Sequence, residues 1–473
     1  MTFRDKKVLV LGMGESGLSM AKWLVRRGGA IRVADSRTTP PCLTAFEQAL
    51  PQARISMGAF SAEAFAGVDM IAISPGVPLA EPLVQQALQD GIPVVGDMEL
   101  YALAISKPGS SSPPILGITG SNGKTTVTAM VGAMMKEAGW DAEVAGNIGP
   151  AVLDARMQRD DSGRQPQAWV LEISSFQLET TRNLVLDAAA VLNLSEDHLD
   201  RYAGMRDYAA AKARIFMSSE GQSGARDGVQ ILNRDDPVVR AMALDGRKQI
   251  TFGLGPPVGE NDFGLLRQSE DIWLVQGNAR LMKASELGVR GLHNAANALA
   301  ALALCRAVAL PFEPLLHALR EFRGLPHRME EVAAFRGITF YDDSKGTNVG
   351  ATAAALNGMT QTVVLIAGGD GKGQDFSPLA RPVAEHARAV VLIGRDAEKI
   401  ATALDDCAIP LHRAKTMDEA VEKSYRLARR GDAVLMSPAC ASFDMFRNYA
   451  HRAEAFKAAV LRVENEFSSM TFN

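Results

Sequence analysis

The stretch Gly117-Ile118-Thr119-Gly120-Ser121-Asn122-Gly123-Lys124-Thr125-Thr126 constrains the fold of this chain more than any other. It follows a Pro-rich joint (Pro108 to Pro114) and a short apolar run, Ile115-Leu116, and leads into an Ala/Met-rich helical pattern, Val127 to Ala138. A glycine-rich turn between strand and helix aims several backbone N–H groups, and the positive helix end, at one point, which suits a phosphate. Lys124 then reaches the terminal phosphates, and the Thr125 hydroxyl joins a magnesium shell. The strict P-loop pattern wants glycine at position 118, where this chain has Ile; its glycines fall at 117, 120 and 123. A Gly-rich surface turn with a solvated lysine is the competing reading. Such a turn has no need of Gly-Lys-Thr-Thr at a helix start.

At 473 residues the chain has room for about three domains, each with its own core. A 47% apolar and 22% charged composition is that of an ordinary globular protein, and a net charge of −4 exerts no global pull toward nucleic acid or anionic membrane. Cys42, Cys305, Cys407 and Cys440 are scattered without C-x-x-C spacing, so neither a disulfide framework nor a cysteine zinc site is expected. The N-terminal apolar run breaks to glycine after four residues, and no uncharged run approaches the ~20 residues of a membrane span. A cytoplasmic protein is expected.

In chain order, Lys7 to Leu11 reads as a buried parallel strand, followed by Gly12-Met13-Gly14-Glu15-Ser16-Gly17, a helix from Leu18 to Arg27, and a strand from Ala30 to Ala34 ending in Asp35. That is a dinucleotide-fold fingerprint in its βαβ setting, acid included. The motif offers a helix N-terminus for a diphosphate and an acid for a ribose or base, so NAD and a uridine diphosphate group fit it equally. Strands are also expected at Met70 to Ile73, ahead of Ser74-Pro75-Gly76, and at Pro93 to Val95, with a linker from Lys107 to Pro114. Beyond the phosphate loop, Gly146-Asn147-Ile148-Gly149 reads as a turn. Ala168 to Ile173 reads as a strand delivering Glu172, a carboxylate suited to magnesium or to a cationic partner. A strand from Ala188 to Leu194 leads to His198 among acids, where a structural role and a ligand role are both open. In a helix from Met205 to Ser218, Lys212 reads by default as an exposed lysine paired with acids. Residues 222 to 290 read as loop-rich, with short alternating stretches such as Asp271-Ile272-Trp273-Leu274-Val275. Gly291 to Asn294 caps a helix from Ala295 to Leu310, with Asn294 as N-cap or ligand and Asn297 as a base reader. After a boundary near Arg323 to Pro326, strands at Ile338 to Tyr341, Thr362 to Ala367, Ala389 to Ile393 and Ala433 to Met436 alternate with helical patterns. Polar clusters follow three of them: Asp342 to Asn348, Gly368 to Lys372, and Ser437 to Ser442. In open α/β sheets ligands sit at that strand edge.

These residues resemble the Mur ligases. The resemblance is carried by GSNGKTT (Gly120 to Thr126), LEISSFQLE (Leu171 to Glu179), NLSEDHLDRY (Asn193 to Tyr202), GLHNAANALAA (Gly291 to Ala301), LPHRME (Leu325 to Glu330), DDSKGTN (Asp342 to Asn348), GGDGKGQDF (Gly368 to Phe376) and SPACASFDMF (Ser437 to Phe446). It implies a three-domain α/β protein. Residues 1–110 would be a Rossmann-like domain for the UDP substrate, 111–324 a central P-loop ATPase domain, and 325–473 a C-terminal Rossmann-like domain for the amino acid and ATP. The implied activity is the family's D-glutamate-adding step, ATP + UDP-MurNAc-L-Ala + D-Glu → ADP + phosphate + UDP-MurNAc-L-Ala-D-Glu, through an acyl phosphate and a tetrahedral intermediate.

The resemblance also implies roles residue by residue. Lys124 and Lys345 would hold ATP phosphates within the loop Gly120, Ser121, Asn122, Gly123, Thr125 and Thr126, while Asn294, Asn297, Arg328 and Asp343 contact the nucleotide. Thr125 and Glu172 would hold one Mg2+ and His198 a second, with Lys212 carrying CO2 as a carbamate that binds metal. Gly14, Glu15, Ser16, Asp35, Ser36 and Arg37 would bind uridine diphosphate; Ser74, Gly76, Asn147, Ser174 and His198 would place the sugar and lactyl-alanine part. Thr347, Lys372, Ser442, Phe443 and Tyr449 would hold D-glutamate, with Tyr449 where the family also uses Phe. The resemblance further implies small-molecule partners only, with no nucleic acid, and a monomer. Another Mur ligase, or a folylpolyglutamate-type ligase, shares the phosphate loop; the latter lacks the N-terminal GxGxxG domain. An NAD(P)-dependent dehydrogenase accounts for residues 7 to 35 and leaves Lys124 unexplained.

Overall fold

A computed structural model describes residues 3–105, 112–217 and 228–469, with side chains to 466. Most of the expected linker and the end of the expected Met205–Ser218 helix lie outside the described residues. The chain packs as two compact units: residues 1–192, 209–282 and 298–319 form the first, and 193–208, 283–297 and 320–473 the second.

The first unit holds two sheets. One contains β1 (Lys7–Leu11), β2 (Ala30–Asp35), β3 (Arg54–Met57), β4 (Met70–Ile73) and β5 (Val94–Val95), all parallel in the order β3-β2-β1-β4-β5. Val8 to Leu11 and Ile71 to Ile73 are buried because helices cover both faces of a parallel sheet. The strand order reverses beside β1, so the crevice for a ligand opens between the ends of β1 and β4.

The second sheet contains β6 (Ile115–Thr119), β7 (Ala142–Gly146), β8 (Ala168–Glu172), β9 (Ala188–Val191), β10 (Val229–Asn233), β11 (Gln249–Phe252), β12 (Phe263–Gln268), β13 (Asp271–Gln276) and β14 (Ala279–Lys283), in the order β14-β13-β12-β11-β10-β9-β6-β8-β7. β6 lies between β8 and β9, with Gly117 opposite Leu171 on one side and Ala189 on the other. Gly117 is closely packed: a Cβ there would come within 2.4 Å of Leu186 Cδ1, and that side chain would have to shift. Five strands occupy residues 229 to 283, which corrects the loop-rich expectation for that segment.

The second unit holds β15 (Glu330–Phe335), β16 (Ile338–Asp342), β17 (Val363–Gly368), β18 (Ala387–Ile393), β19 (Leu411–Arg413) and β20 (Ala433–Met436), ordered β15-β16-β20-β17-β18-β19. Only β15 runs antiparallel; it forms a half-exposed edge hairpin with β16. The central strands are continuous Val/Leu/Ile runs, packed between a cluster around Leu365, Leu392 and Ile400 and a second around Val364, Val434 and Phe456. All four cysteines are free thiols, and among the described residues no helix is long and apolar enough to cross a membrane.

Candidate active site

The phosphate loop lies at the C-terminal end of β6. Gly120 (φ 150°) and Gly123 (φ 84°) adopt backbone conformations that only glycine enters freely, and Gly123 caps the helix Lys124–Glu137 without a side-chain bond. The helix thus begins at Lys124, three residues before the sequence pattern announces it. Thr125 is half-buried and Thr126 buried behind the loop. The Lys124 ammonium folds back onto the carbonyls of Gly120 (2.7 Å) and Ser121 (2.9 Å). Lys212 donates to that same Gly120 carbonyl at 2.9 Å and is only 1% exposed, which corrects its reading as an exposed surface lysine.

Beside the loop, register places Glu172 opposite Ile118. Its carboxylate is buried. Oε1 accepts from Asn147 Nδ2 at 2.7 Å, while Oε2 has no hydrogen-bond partner among the described residues. A buried carboxylate oxygen without a donor is costly unless a cation completes it. Two oxygen ligands, the strand-end Glu172 carboxylate and the Thr125 hydroxyl in the first turn of the helix after the phosphate loop, match the few protein oxygens magnesium takes beside phosphate and water, so these residues fit the ion. Asn147, expected on the substrate, orients Glu172 from both its amide N–H (2.8 Å, to the Glu172 carbonyl) and its side chain. Ser174 caps the short helix Ser175–Glu179 in a capping box with Gln177. Gln177 in turn donates to the fully buried Asp97 at 2.9 Å, a contact with no sequence signal.

In the first sheet, Gly17 packs so tightly that a Cβ would lie 1.9 Å from the Gly12 carbonyl, while Gly14 and Gly76 face open space. Glu15 opens the helix Glu15–Arg26, whose N-terminus carries no side-chain cap. The Ser74 hydroxyl donates to the Gly12 carbonyl at 3.1 Å and closes the floor of the crevice. Ser16 is half-buried and Ser36 exposed. Asp35 is turned inward: its oxygens accept from Met13 N (2.6 Å), Arg37 N (2.9 Å), Arg37 Nε (2.8 Å) and Arg37 Nη2 (2.6 Å). Burial works against its charge, yet the Arg37 guanidinium and the two N–H donors hold its pKa below the usual carboxylate range.

The second unit gathers most of the remaining expected residues at one edge of its sheet. Asp370 and Ala441 bridge the loops after β17 and β20. The Gln374 side chain ties Val349 N (2.9 Å) to the Ala439 carbonyl (2.7 Å). Lys345 carries its ammonium 3.8 Å from the centre of the Tyr449 ring, a cation–π contact. Tyr449 therefore faces a lysine of the site, a contact the family's Phe could also make. Asp343 is fully buried; burial raises its pKa to about 7, against the Ser437 hydroxyl (2.7 Å) and Arg328, which favour the anion. The Lys372 ammonium pairs with Asp197, whose other oxygen accepts from Asn348 Nδ2 at 3.3 Å. His198 follows at φ 57° with its ring a third exposed. Asp197 lies within the NLSEDHLDRY segment, but no spacing rule singles it out. Thr347 N bonds the Lys345 carbonyl (2.9 Å), Ser442 is buried, and Phe443 is 73% exposed. Asn294 and Asn297 share a face, joined at 3.3 Å; the helix begins at Leu292, so Asn294 is not its N-cap.

Residues 6–96 match the Mur ligase MurD-like N-terminal domain, 118–305 the Mur ligase middle domain, and 327–440 the Mur ligase glutamate ligase domain. The chain belongs to the Mur ligase family and is an ATP-dependent, amide-bond-forming ligase built from that family's three α/β domains. It is 70% identical over 460 residues to a UDP-N-acetylmuramoylalanine–D-glutamate ligase of Nitrosospira multiformis, covering 97% of this chain and 96% of the relative. A protein of the same name from Nitrosomonas europaea is 62% identical over 467 residues, 99% of this chain and 98% of the relative. Among solved structures, the UDP-N-acetylmuramate–alanine ligase MurC of Thermotoga maritima superposes with a TM-score of 0.60 at 20% identity, covering 98% and 99% of the two chains. MurF of Acinetobacter baumannii does so at 0.58 and 18%, covering 97% and 93%. At such identities the two structures speak for the fold alone.

Proposed function

We propose that this chain joins the amino group of D-glutamate to the alanyl carboxylate of UDP-N-acetylmuramoyl-L-alanine, in the cytoplasm and as a monomer, with ATP as the energy source. The observation that carries the ligase chemistry is the buried Glu172 oxygen without a donor, one strand away from the Lys124 loop. The names of the 70% and 62% identical relatives supply the choice of substrates. Residues 1–110, 111–324 and 325–473 serve as the UDP-substrate, ATP and amino-acid domains.

A carboxylate is a poor electrophile, so the alanyl carboxylate first attacks the γ-phosphorus of ATP and expels ADP, giving an acyl phosphate. The neutral amine of D-glutamate adds to its carbonyl; the tetrahedral intermediate loses phosphate and a proton, leaving the amide. Phosphoryl transfer asks a protein mainly for positioning and charge. Lys124 and the N–H groups of Gly120 to Thr126 hold the phosphates. Glu172 and Thr125 would hold a first magnesium ion and His198 a second, which when bound would neutralise phosphate charge. Lys345, Asn294, Asn297, Arg328 and Asp343 contact the nucleotide, and Thr347, Lys372, Ser442, Phe443 and Tyr449 hold the amino acid. Gly14 to Ser16, Asp35 to Arg37, Ser74, Gly76, Asn147 and Ser174 serve the sugar nucleotide, several of them by shaping the crevice. The Lys212 ammonium first gives up a proton, and its neutral amine then adds to CO2 and loses a second proton to give a carbamate; its burial and its crowding with Lys124 on one carbonyl support exchange of a cation for an anion there.

Phosphate release from ATP, measured with the sugar nucleotide and D-Glu, L-Glu or no amino acid, tests this reading. Turnover should require the nucleotide acid and D-Glu together. Equal turnover with L-Glu, or none with D-Glu, would sink it.

A further inference from the structure

The last helix, Tyr449–Ser469, packs Phe456, Ala459, Val460 and Val463 into one core of the third sheet. Its first turn lies against the loops after β16 and β20. Tyr449 and Arg452, three residues apart, share a helix face. The Tyr449 ring meets the Lys345 ammonium. Arg452 is 1% exposed; its Nη2 donates to the Ser344 carbonyl at 2.9 Å and its Nη1 to the Cys440 carbonyl at 3.1 Å. Ser344 immediately precedes Lys345, and Cys440 stands two residues before Ser442.

This placement is expensive. Among the described residues Arg452 forms no ion pair, and its buried Nε meets no acceptor. Burial pulls the guanidinium down to about 10, with Cys440, Asp444, Asp342 and Asp343 working upward, so it remains a cation at neutral pH. An apolar side chain of similar volume would be cheaper in such a place. What an apolar side chain lacks is a rigid fork of donors able to hold carbonyls from two loops at once.

We infer that Arg452 is a positioning residue where the ATP and amino-acid parts of the site meet: by gripping Ser344 and Cys440 it fixes Lys345, on the nucleotide, and Ser442, on the amino acid, in mutual register before substrate arrives. The inference rests on the function proposed above for the identity of the substrates. It deepens that reading by assigning pre-organisation to a residue that touches no reactant.

Steady-state phosphate release with Arg452→Lys and Arg452→Gln, alongside equilibrium binding of the sugar nucleotide, tests it. Arg452→Lys keeps the charge and loses the fork. It should raise KM for D-Glu and for ATP at least about tenfold, the equivalent of one hydrogen bond to a charged group, with sugar-nucleotide binding unchanged. Arg452→Gln should be worse. Unaltered D-Glu kinetics in Arg452→Lys overturn the inference alone, as does an equal loss of affinity for every substrate. Failure of both variants to fold would also overturn it, since Arg452 would then serve the fold and not the site. A wild-type enzyme without turnover overturns the functional reading, and the inference with it.

Discussion

Lys212 and Lys124 direct two ammonium groups at the carbonyl of Gly120, inside a site that must also receive a polyphosphate. Lys212→Ala should lower turnover at least about 100-fold, the scale of one preorganised electrostatic group. Added formate or acetate should restore part of it by filling the vacated space with an anion. Full activity without additive would rule out the carbamate. Asp343 gives a pH test. Its folded value near 7 lies above the ordinary 3.8, so its contribution to stability is complete below the lower value and is lost as pH rises through the upper one. Asn at 343 still accepts from Ser437 and carries no charge. The melting temperature of Asp343→Asn relative to wild type should therefore climb between about pH 4 and 7 and then level off; a constant offset would refute the assignment. Much at this scale was legible: glycines and lysines of the phosphate loop announce themselves because the loop's chemistry lies in the backbone and one cation. Asp197, Gln374 and Arg452 do not, because their partners are 175, 65 and 108 residues away in sequence.

Elements were legible in proportion to their burial. β20 has the bounds read from its apolar run, and β1, β2 and β4 lie where the buried parallel pattern put them. β12 escaped because it reaches its partner through Ser269-Glu270, with φ 54° at Ser269, in place of an Asn-Gly signal, and β13 showed only as the stretch Asp271 to Val275 inside a segment read as loop-rich. β15 escaped for the same reason: its hairpin turns through Arg336 and Gly337, both at positive φ. A contact between elements supplies a stability test. Glu99, in the helix Asp97–Ile105, accepts from Arg182 N (2.6 Å), Asn183 N (2.9 Å) and the Asn183 side chain. Glu99→Ala leaves those donors without an acceptor and should cost about 1–3 kcal/mol. Chemical denaturation of the variant checks this; an unchanged midpoint would mean that water replaces the carboxylate.

For the whole molecule, two compact units holding three sheets imply that unfolding is not a single event. Calorimetry should show at least two components, with a calorimetric enthalpy above the van 't Hoff value. Saturating uridine nucleotide should raise only the component that contains the first sheet, by mass action. One symmetric transition moved bodily by the ligand would mean that the units melt together. Chain length gives room for about three domains but cannot draw the units. Residues 193–208 and 283–297 pack with the last sheet although the chain reaches it only later, and segment swaps of that kind leave no periodic trace.

The inward turn of Asp35 has a consequence for chemistry at the first crevice. In a dehydrogenase the corresponding acid reads the adenosine sugar of the redox coenzyme. Here a neighbouring guanidinium has already claimed both of its oxygens. Screening compounds that imitate an adenine dinucleotide would find that hook taken, whereas compounds offering an acceptor to the exposed outer edge of Arg37 would meet a donor held ready.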